Sequence, residues 1–356
     1  MDFTFTEEQQ MLRAAARDFL DRSVPLERVT ALADGDPGWD PGSWQQVSAL
    51  GWLGLSVPTA RAGAGMTFVE EAVVLEETGR GLYPGPYFST VALAQPLLAA
   101  AESAAGTDLL TQVLGGSRTA TVATLPGVTS AGDVLSGTSR HVPDLGIVDD
   151  VLVVVQGATG PGVWHVDLRA HPNVVRRTST MDTTRRLGDL VLDDTPAVAL
   201  LDPGVAAGAL HIARLRGLAG LACEAVGVAQ RCLVISADYA KERQQFGRPI
   251  GSYQGVSHRI ANIYVALEMA RSLAYWAAWS VSVDDPQAAA ACSAAKAAGS
   301  EAAVLAAESA IQAMGGIGFT WDHPLHRFYK RAQWITAYDG HPREHRAALA
   351  VSLLDA

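Results

Sequence analysis

The sequence predicts a mainly helical protein with a small β-domain in the middle of the chain. A helical apolar period runs through roughly the first 115 residues, short β-branched runs replace it between about residues 118 and 200, and the helical period returns after Pro203. We therefore divide the chain into an N-terminal helical domain (1–116), a middle β-domain (117–202) and a C-terminal four-helix-type domain (203–356). A chain of 356 residues, 49% apolar, is long enough for two or three packed subdomains.

The N-terminal part begins with a predicted helix from Phe3 to about Leu32. Thr6 is its candidate N-cap, because a Thr hydroxyl can accept from the first free backbone N–H groups and two glutamates follow it. A second, short helix is predicted from Trp44 to Leu50.

A third helix is predicted from Thr67, ending at Gly79 or Gly81. Its pattern places four acidic residues toward solvent: Glu70, Glu71, Glu76 and Glu77. Two more helical segments are expected between Ala92 and Gly115.

The middle segment contains short runs such as TATVATL, DDVLVVV and GVWHVDL, separated by Gly, Pro, Asp and Asn. These runs predict a small antiparallel β-domain. Beyond it the pattern predicts long helices near 205–241, 254–283, 286–314, 325–335 and 342–354. Glu224, on the first of these, is expected to have an interhelical partner.

Composition excludes several classes of protein. The N-terminus carries acids and Gln where a secretion signal needs a basic start and an apolar run. The Ala-rich run from Asp285 to Leu305 is interrupted by Lys296 and Glu301, which favours a buried helix over a membrane span. A net charge of −10 disfavours binding to nucleic acid. We therefore expect a cytoplasmic protein that contacts neither a membrane nor nucleic acid.

Cysteines and histidines indicate no metal site. Cys223, Cys232 and Cys292 are odd in number and lack CxxC spacing, so neither a disulfide framework nor a zinc site is expected. His258 and His345 are single histidines on predicted helices, where surface or core positions are commoner than catalytic ones.

Longer motifs carry a family resemblance. They are GWLGLSVP, LEETGRGL, RQQFGRPIGSYQ from Arg243 to Gln254, and IQAMGGIGFTWDHPLHRFYKRAQ from Ile311 to Gln333. On these motifs the chain resembles the acyl-CoA dehydrogenase family, most of all the subunits of actinobacterial heteromeric (α2β2) steroid-type members. The resemblance implies that family's fold, with an N-terminal helical domain, a middle β-barrel domain and a C-terminal helical bundle.

The resemblance also implies an FAD site shared between subunits. The guanidinium of Arg243 would meet the pyrophosphate of FAD held mainly by a neighbouring subunit, and its fixed fork of donors suits phosphate oxygens. Glycine would let the backbone approach the cofactor, because it lacks Cβ. The positions that match cofactor contacts in the family are Arg243, Gln245, Phe246, Gln254, Gln312, Gly315 and Gly316.

Asp339 is the candidate catalytic base. In the family's commonest arrangement a Glu–Gly pair supplies the base, and Asp339-Gly340 matches that pair. Ala213 matches an alternative family position for the base and carries no acid. Asp is shorter than Glu by one methylene, so three interpretations stay open: a base on a shifted backbone, the chemistry of nitroalkane oxidases, which share this fold and deprotonate carbon with Asp, or a helix N-cap before His341.

The middle domain departs from the family pattern. The Thr-Glu-Pro and Gly-Ser-Asp segments and the Trp–Thr pair that contact flavin in the family are not recognisable between Arg118 and Leu200, and Thr121 to Gly127 stands in their place in shortened form. The half-site that the chain lends to a neighbour is thus present, while the half-site for its own flavin is eroded. An unlike homologous subunit (α2β2) would explain this, although a homo-oligomer also satisfies the half-site requirement.

The resemblance therefore implies a subunit of an FAD-dependent acyl-CoA dehydrogenase. Such an enzyme oxidises an acyl-CoA thioester to the trans-2-enoyl product and passes electrons to an electron-transfer protein. The resemblance suggests a bulky, steroid-derived thioester. The alternatives are a noncatalytic subunit that completes an unlike partner's FAD site and a nitroalkane-oxidase-like flavoenzyme.

Overall fold

The computed structural model describes residues 4–125, 130–131 and 133–354, and the chain divides into two units. The first unit comprises Met1–Thr30, Phe68–Tyr83 and Leu218–Ala356, and the second comprises Ala31–Thr67 and Pro84–Gly217. The α-helices are α1 (Glu7–Ser23), α2 (Leu26–Asp34), α3 (Pro41–Ala49), α4 (Phe68–Gly81), α5 (Gln95–Ala100), α6 (Ala104–Leu114), α7 (Pro203–Glu242), α8 (Gln254–Ser282), α9 (Ala288–Met314), α10 (Leu325–Ala337) and α11 (Pro342–Leu354).

The strands are β1 (Ala120–Leu125), β2 (Ser130–Ala131), β3 (Val134–Pro143), β4 (Asp150–Gly157), β5 (Gly160–Asp167), β6 (Val175–Thr178), β7 (Leu187–Pro196), β8 (Val198–Leu201), β9 (Gln244–Gln245) and β10 (Arg248–Pro249). Mainly helical structure with a small sheet region is the predicted fold class, and the structure confirms it.

Helix α1 begins at the predicted cap but ends early. The Thr6 hydroxyl accepts from Gln9 N at 3.2 Å, and Gln9 Oε1 accepts from Thr6 N at 3.1 Å, which is a capping box. The single helix predicted from Phe3 to Leu32 is wrong, because α1 ends at Ser23 and α2 starts at Leu26. Pro25 lies between them and has no backbone N–H to continue the helix.

Two other predicted helical boundaries differ from those observed. Helix α3 starts at Pro41 rather than Trp44, because the carboxylate of Asp40 caps it by accepting from the backbone N–H groups of Gly42 and Ser43. The helical structure expected from Ala92 begins at Phe88 with a π-helical stretch, Phe88–Ala94, that leads into α5.

The solvent-facing prediction for the α4 glutamates is wrong for three of the four. Glu71, Glu76 and Glu77 are at most 2% exposed. The carboxylate of Glu76 accepts from Arg13 Nη2 at 3.0 Å and from the Tyr275 hydroxyl at 2.6 Å. These partners lie on α1 and α8, so α4 is buried between helices, a position that its own sequence does not reveal.

Glu77 is held in the same way by two arginines. Arg17 Nη2 on α1 donates to Glu77 Oε1 at 2.7 Å, and Arg80 donates to Glu77 Oε2 from one turn further along α4. A buried carboxylate is tolerated only when charged or hydrogen-bonding partners replace water. The arginines of α1 therefore hold that helix against α4 through ion pairs.

Two four-stranded sheets form in the second unit, with strand orders β1-β4-β5-β8 and β2-β3-β7-β6. The antiparallel prediction is wrong for one pair, because β1 runs parallel to β4 from Ala120 opposite Asp150 to Leu125 opposite Val155. Strand β4 is buried on both faces: Val151 and Val153 pack in one apolar cluster and Leu152 in another. A continuous apolar run is typical of a central strand with a parallel neighbour.

The C-terminal helices lie within two residues of their predicted ends. The interhelical partner expected for Glu224 is Arg331 on α10, with Nη1 3.7 Å from Glu224 Oε1 and both side chains at most 2% exposed. The three cysteines are buried and free, and burial raises the pKa of Cys292 to about 12.

By length and composition alone, two helical stretches could cross a membrane: Pro203–Glu242 and Ala288–Phe319. The most apolar window of the first is 72% buried and that of the second is 44% buried. Core helices of soluble proteins pass the same test, so this is weak support for a membrane span.

Candidate functional site

A short hairpin carries the first group of predicted cofactor residues. Strands β9 and β10 pair antiparallel across a two-residue turn made by Phe246 (φ 52°) and Gly247 (φ 77°). Two positive φ values in succession are typical of the tight turn in a two-residue hairpin, but a bulky residue rarely takes the first position. Phe246 is 93% exposed, and within its own chain its ring has an edge contact with the Tyr253 ring, with the ring centres 6.4 Å apart.

The hairpin is nevertheless fixed to the helices on either side. The Tyr253 hydroxyl donates to Gln245 O at 3.1 Å, and the guanidinium carbon of Arg248 lies 4.1 Å from the centre of the Tyr253 ring. Ile250 N donates to Arg243 O at 2.8 Å. The backbone is thus held while the side chains of Arg243 and Gln245 remain exposed.

Gln254 is the first residue of α8 and lies at the edge of a surface groove of about 420 Å³. The groove is lined by α8 and α9 residues: Gln254, Gly255, His258, Arg259, Asn262, Leu305 and Ser309. Tyr253, the N-cap, accepts no bond with its side chain from the first turn of α8. The groove therefore combines an amide, a guanidinium and the positive end of a 29-residue helix.

The end of α9 carries the next predicted residues. Gln312 is exposed, and Gly315 ends the helix with φ 64°. A Cβ added to Gly315 or Gly316 would meet no heavy atom within 4 Å, so neither glycine is required for packing on that side. Beyond them Phe319 and Trp321 are 84% and 73% exposed.

Asp339 lies in a turn between α10 and α11. It has φ 50° and is followed by Gly340 with φ 102°. The Asp339 side chain is exposed, and the rings of Trp334 and Tyr338, 5.1 Å apart and nearly parallel, precede it. Helix α11 begins at Pro342, and just before it His341 Nδ1 accepts from Arg343 N at 3.3 Å, while the N-cap alternative for Asp339 stays a prediction.

Two residues beside this turn were not identified as functional from the sequence. Lys296 Nζ donates to Gly340 O at 3.0 Å, and His345 Nε2 lies 3.0 Å from Asp339 O. Lys296 interrupts an otherwise apolar run of α9, and a lysine in such a run needs a buried partner. That signal was available in the sequence, but the partner is 44 residues away.

All eight predicted site residues lie in the first unit, and all are exposed. In the second unit, Leu125 ends β1, while Pro126 and Gly127 of the shortened flavin segment lie outside the described residues. Ala213 lies in α7 and is buried. Across the described residues, no group of three or more His, Cys, Asp or Glu side chains is placed to hold a metal ion.

Comparison with known proteins identifies the family. Residues 6–117 match the acyl-CoA dehydrogenase N-terminal domain, and residues 204–354 match the acyl-CoA dehydrogenase C-terminal domain. The chain is 33% identical over 339 residues to acyl-CoA dehydrogenase IpdE2 of Mycobacterium tuberculosis, with 95% of each chain covered. The chain belongs to the acyl-CoA dehydrogenase family.

Solved structures of the family agree in fold. The Tcur3481-Tcur3483 steroid ACAD matches with a TM-score of 0.87 and 31% identity over 98% of each chain. The ChsE4-ChsE5 complex from Mycobacterium tuberculosis matches with a TM-score of 0.86 and 26% identity over the whole of each chain. The resemblance drawn from the sequence is therefore confirmed, and its named relatives are enzymes.

FAD is the cofactor of the acyl-CoA dehydrogenase family, and the exposed groups of this chain fit it. Arg243 offers a guanidinium suited to a pyrophosphate, and three glutamines offer amide donors and acceptors. The open side of Gly315 and Gly316 leaves room for a ligand against the backbone. The first unit thus presents exposed groups of the kinds that bind a flavin dinucleotide.

Proposed function

We propose that this chain is a subunit of an FAD-dependent acyl-CoA dehydrogenase that introduces an α,β double bond into an acyl-CoA thioester. The observation that carries the proposal is the exposure of every matched cofactor residue from Arg243 to Gly316, on backbone that is fixed from within the chain. Polar groups prearranged on an otherwise folded surface support binding to a cofactor held by another subunit.

In this reaction FAD, when bound, supplies the acceptor for the hydride that leaves the β carbon. The chain's own part is acid–base chemistry. The carboxylate of Asp339 takes the α proton, and the electron pair of that C–H bond becomes the new C–C double bond. A general base contributes about 10²–10⁴-fold to such a step when it is correctly placed.

The proposed substrate is a bulky, ring-bearing CoA thioester. Support comes from the likeness to a steroid ACAD at 31% identity over 98% of the chain. We further propose a cytoplasmic location and delivery of electrons to an electron-transfer protein.

The proposed assembly contains an unlike homologous subunit. Two solved matches, Tcur3481-Tcur3483 and ChsE4-ChsE5, each pair two differently named chains. The middle segment of this chain also lacks the family's flavin-contacting motifs. A homo-oligomer is the alternative outcome of the test.

The test is the visible absorption spectrum of the chain purified alone and after co-expression with a homologous subunit, with flavin per subunit quantified. We expect little flavin alone and near-stoichiometric flavin in the co-expressed complex, bleached by a steroid-derived acyl-CoA. Stoichiometric flavin in the chain alone would overturn the unlike partner.

A second candidate, a noncatalytic subunit, is favoured by the Asp that stands where the family has Glu. It predicts that the complex bleaches equally well when Asp339 is replaced by Asn. Bleaching by a nitroalkane but by no acyl-CoA would instead replace the proposed reaction with nitroalkane oxidation.

A further inference from the structure

The Asp339–Gly340 turn has a backbone conformation that requires support. Asp339 has φ 50° and Gly340 has φ 102°. The left-handed region costs a non-glycine residue on the order of 1–2 kcal/mol, although Asp tolerates it better than most residues. Such a conformation persists only where neighbouring groups fix it.

Two side chains from different helices fix the two carbonyls of this turn. Lys296 on α9 donates from Nζ to Gly340 O at 3.0 Å. His345 on α11 lies with Nε2 3.0 Å from Asp339 O, and because a carbonyl oxygen only accepts, Nε2 carries the hydrogen. Both carbonyls of the dipeptide therefore have a side-chain donor.

Neither donor is a surface group. Lys296 is 0% exposed and His345 is 5% exposed. Burial lowers the pKa of Lys296 to about 8, while the carboxylates of Asp339 and Glu344 oppose that shift. A buried ammonium is costly unless its surroundings use it, and here its partners are the turn and the acids beside it.

Gly340 completes the arrangement. A Cβ on this residue would lie 3.0 Å from His345 Nε2 and 3.3 Å from a carboxylate oxygen of Glu344. The imidazole and the turn therefore pack directly against each other. Any shift of His345 would move the backbone that carries Asp339.

We infer that Lys296 and His345 are positioning residues for Asp339. They fix the carbonyls of residues 339 and 340, so that the Asp339 side chain projects from the turn in a single orientation. This inference rests on the proposed role of Asp339 as base. A base displaced by about 1 Å can lose on the order of a hundredfold in rate, so rigid support of this turn matters to turnover.

The test uses the FAD-loaded complex and two pairs of variants. Lys296→Met and His345→Leu remove a donor, whereas Lys296→Gln and His345→Gln keep an N–H. We expect each donor-free variant to lower kcat about 10- to 100-fold with KM within about twofold, since the base is misplaced while thioester binding is retained. His345→Gln should recover most of the loss.

Amide hydrogen exchange gives a readout that does not depend on turnover. We expect the segment 338–345 to exchange at least about fivefold faster in Lys296→Met and His345→Leu, and near the wild-type rate in His345→Gln. Arg271→Met is the control, because Arg271 donates to Glu76 and Gln230 in the same unit, away from the turn. This control should lower thermal stability while leaving exchange in 338–345 and kcat unchanged.

The possible outcomes distinguish a failure of this inference from a failure of the proposed function. If the wild-type complex turns over and kcat is unchanged in Lys296→Met and His345→Leu, the inference fails and the proposed function stands. If the wild-type complex never turns over, the proposed function fails, and the exchange rates still decide whether the two donors hold the turn. Equal exchange in His345→Leu and wild type would overturn the inference in either case.

Discussion

Two turns of the first unit each have positive φ at two successive residues, and they differ in what surrounds them. The hairpin turn Phe246–Gly247 has φ values of 52° and 77°, and the turn Asp339–Gly340 has 50° and 102°. An added Cβ would meet nothing within 4 Å at Gly247, but would meet His345 at 3.0 Å at Gly340. Each turn thus places a non-glycine residue in a strained conformation, one on an open surface and one against buried side chains.

The two turns also differ in which groups hold their strained backbone. Phe246 is exposed and its hairpin is held by Tyr253 of its own chain, which suits the proposed role of this segment in a cofactor site completed by another subunit. The Asp339 turn is fixed by Lys296 and His345 of its own chain, which suits a residue whose direction must be set before the substrate arrives.

Removing the carboxylate from the packed turn should have the largest effect. We expect Asp339→Asn to lower kcat about 10²–10⁴-fold, because the amide cannot take the α proton. FAD content of the complex should be unchanged. Single-turnover bleaching of the flavin by acyl-CoA measures the step, and bleaching at the wild-type rate would show that Asp339 is not the base.

Removing the guanidinium of Arg243, beside the Phe246–Gly247 turn, should weaken FAD binding and not the chemical step. We expect Arg243→Ala to raise the Kd for FAD about 10- to 100-fold, since a hydrogen bond to a charged group contributes about 1.5–3 kcal/mol. Titration of the apo complex with FAD measures this. Arg248→Ala is the matched control, because Arg248 stacks on Tyr253 of its own chain, and an equal loss in both variants would argue against a specific role for Arg243.

Replacing the glycine of each turn by alanine compares the two turns directly. Gly340→Ala should lower the free energy of unfolding by about 2–3 kcal/mol, because it combines backbone strain with a clash against His345. Gly247→Ala should cost about 1 kcal/mol, since only the positive φ opposes it. Chemical denaturation of the complex measures both, and equal costs would mean that the packing around Gly340 contributes little.

The smallest expected effect concerns the dependence of stability on pH. The pKa of Lys296 falls to about 8 in the folded chain, mainly through burial, and lies near its ordinary value of 10.5 when the chain is unfolded. Between these values the unfolded chain binds a proton that the folded chain does not, so the contribution of Lys296 to the free energy of unfolding rises with pH. The melting temperature of wild type minus that of Lys296→Met should therefore increase by a few degrees from pH 8 to pH 10.5.

The difference in melting temperature between wild type and Lys296→Met should not change with pH below pH 8, because Lys296 is then protonated in both the folded and the unfolded chain. The subtraction cancels groups that titrate alike in the two proteins. A difference that falls across the window would mean that the ammonium is more stable inside the protein than in water.

The long C-terminal helices could be predicted from sequence because their signals are local. Each helix carries a sustained apolar period, and boundary residues such as Pro203, Gly315 and Pro342 are visible in the chain itself. The motif from Arg243 to Gln254 and the Asp339–Gly340 pair were singled out through motif likeness, which carries no information on the hairpin, on exposure or on the groups that hold the backbone.

What could not be predicted depends on partners distant in sequence. Glu76 carries the same charge as a surface glutamate, and its burial depends on partners such as Arg13 and Tyr275, 63 and 199 residues away. The apolar run of β4 is typical of a central strand, but it does not identify β1 as the strand that pairs parallel with it. Lys296 could be read only as a break in an apolar run, since its acceptor lies on another segment.

The partners of Glu76 lie far apart in the sequence, so they become available at different times during synthesis. Arg271, which lies 3.3 Å from Glu76, is 195 residues further along the chain, so at about 5–20 residues per second roughly 10–40 s pass between their appearance from the ribosome. During that interval α4 can pair with α1 through Arg13 and Arg17, and its remaining carboxylate oxygens stay hydrated. The buried glutamates of α4 can stay hydrated until their last partners are made, so α4 exposes less apolar surface during synthesis than it would with leucines at those positions.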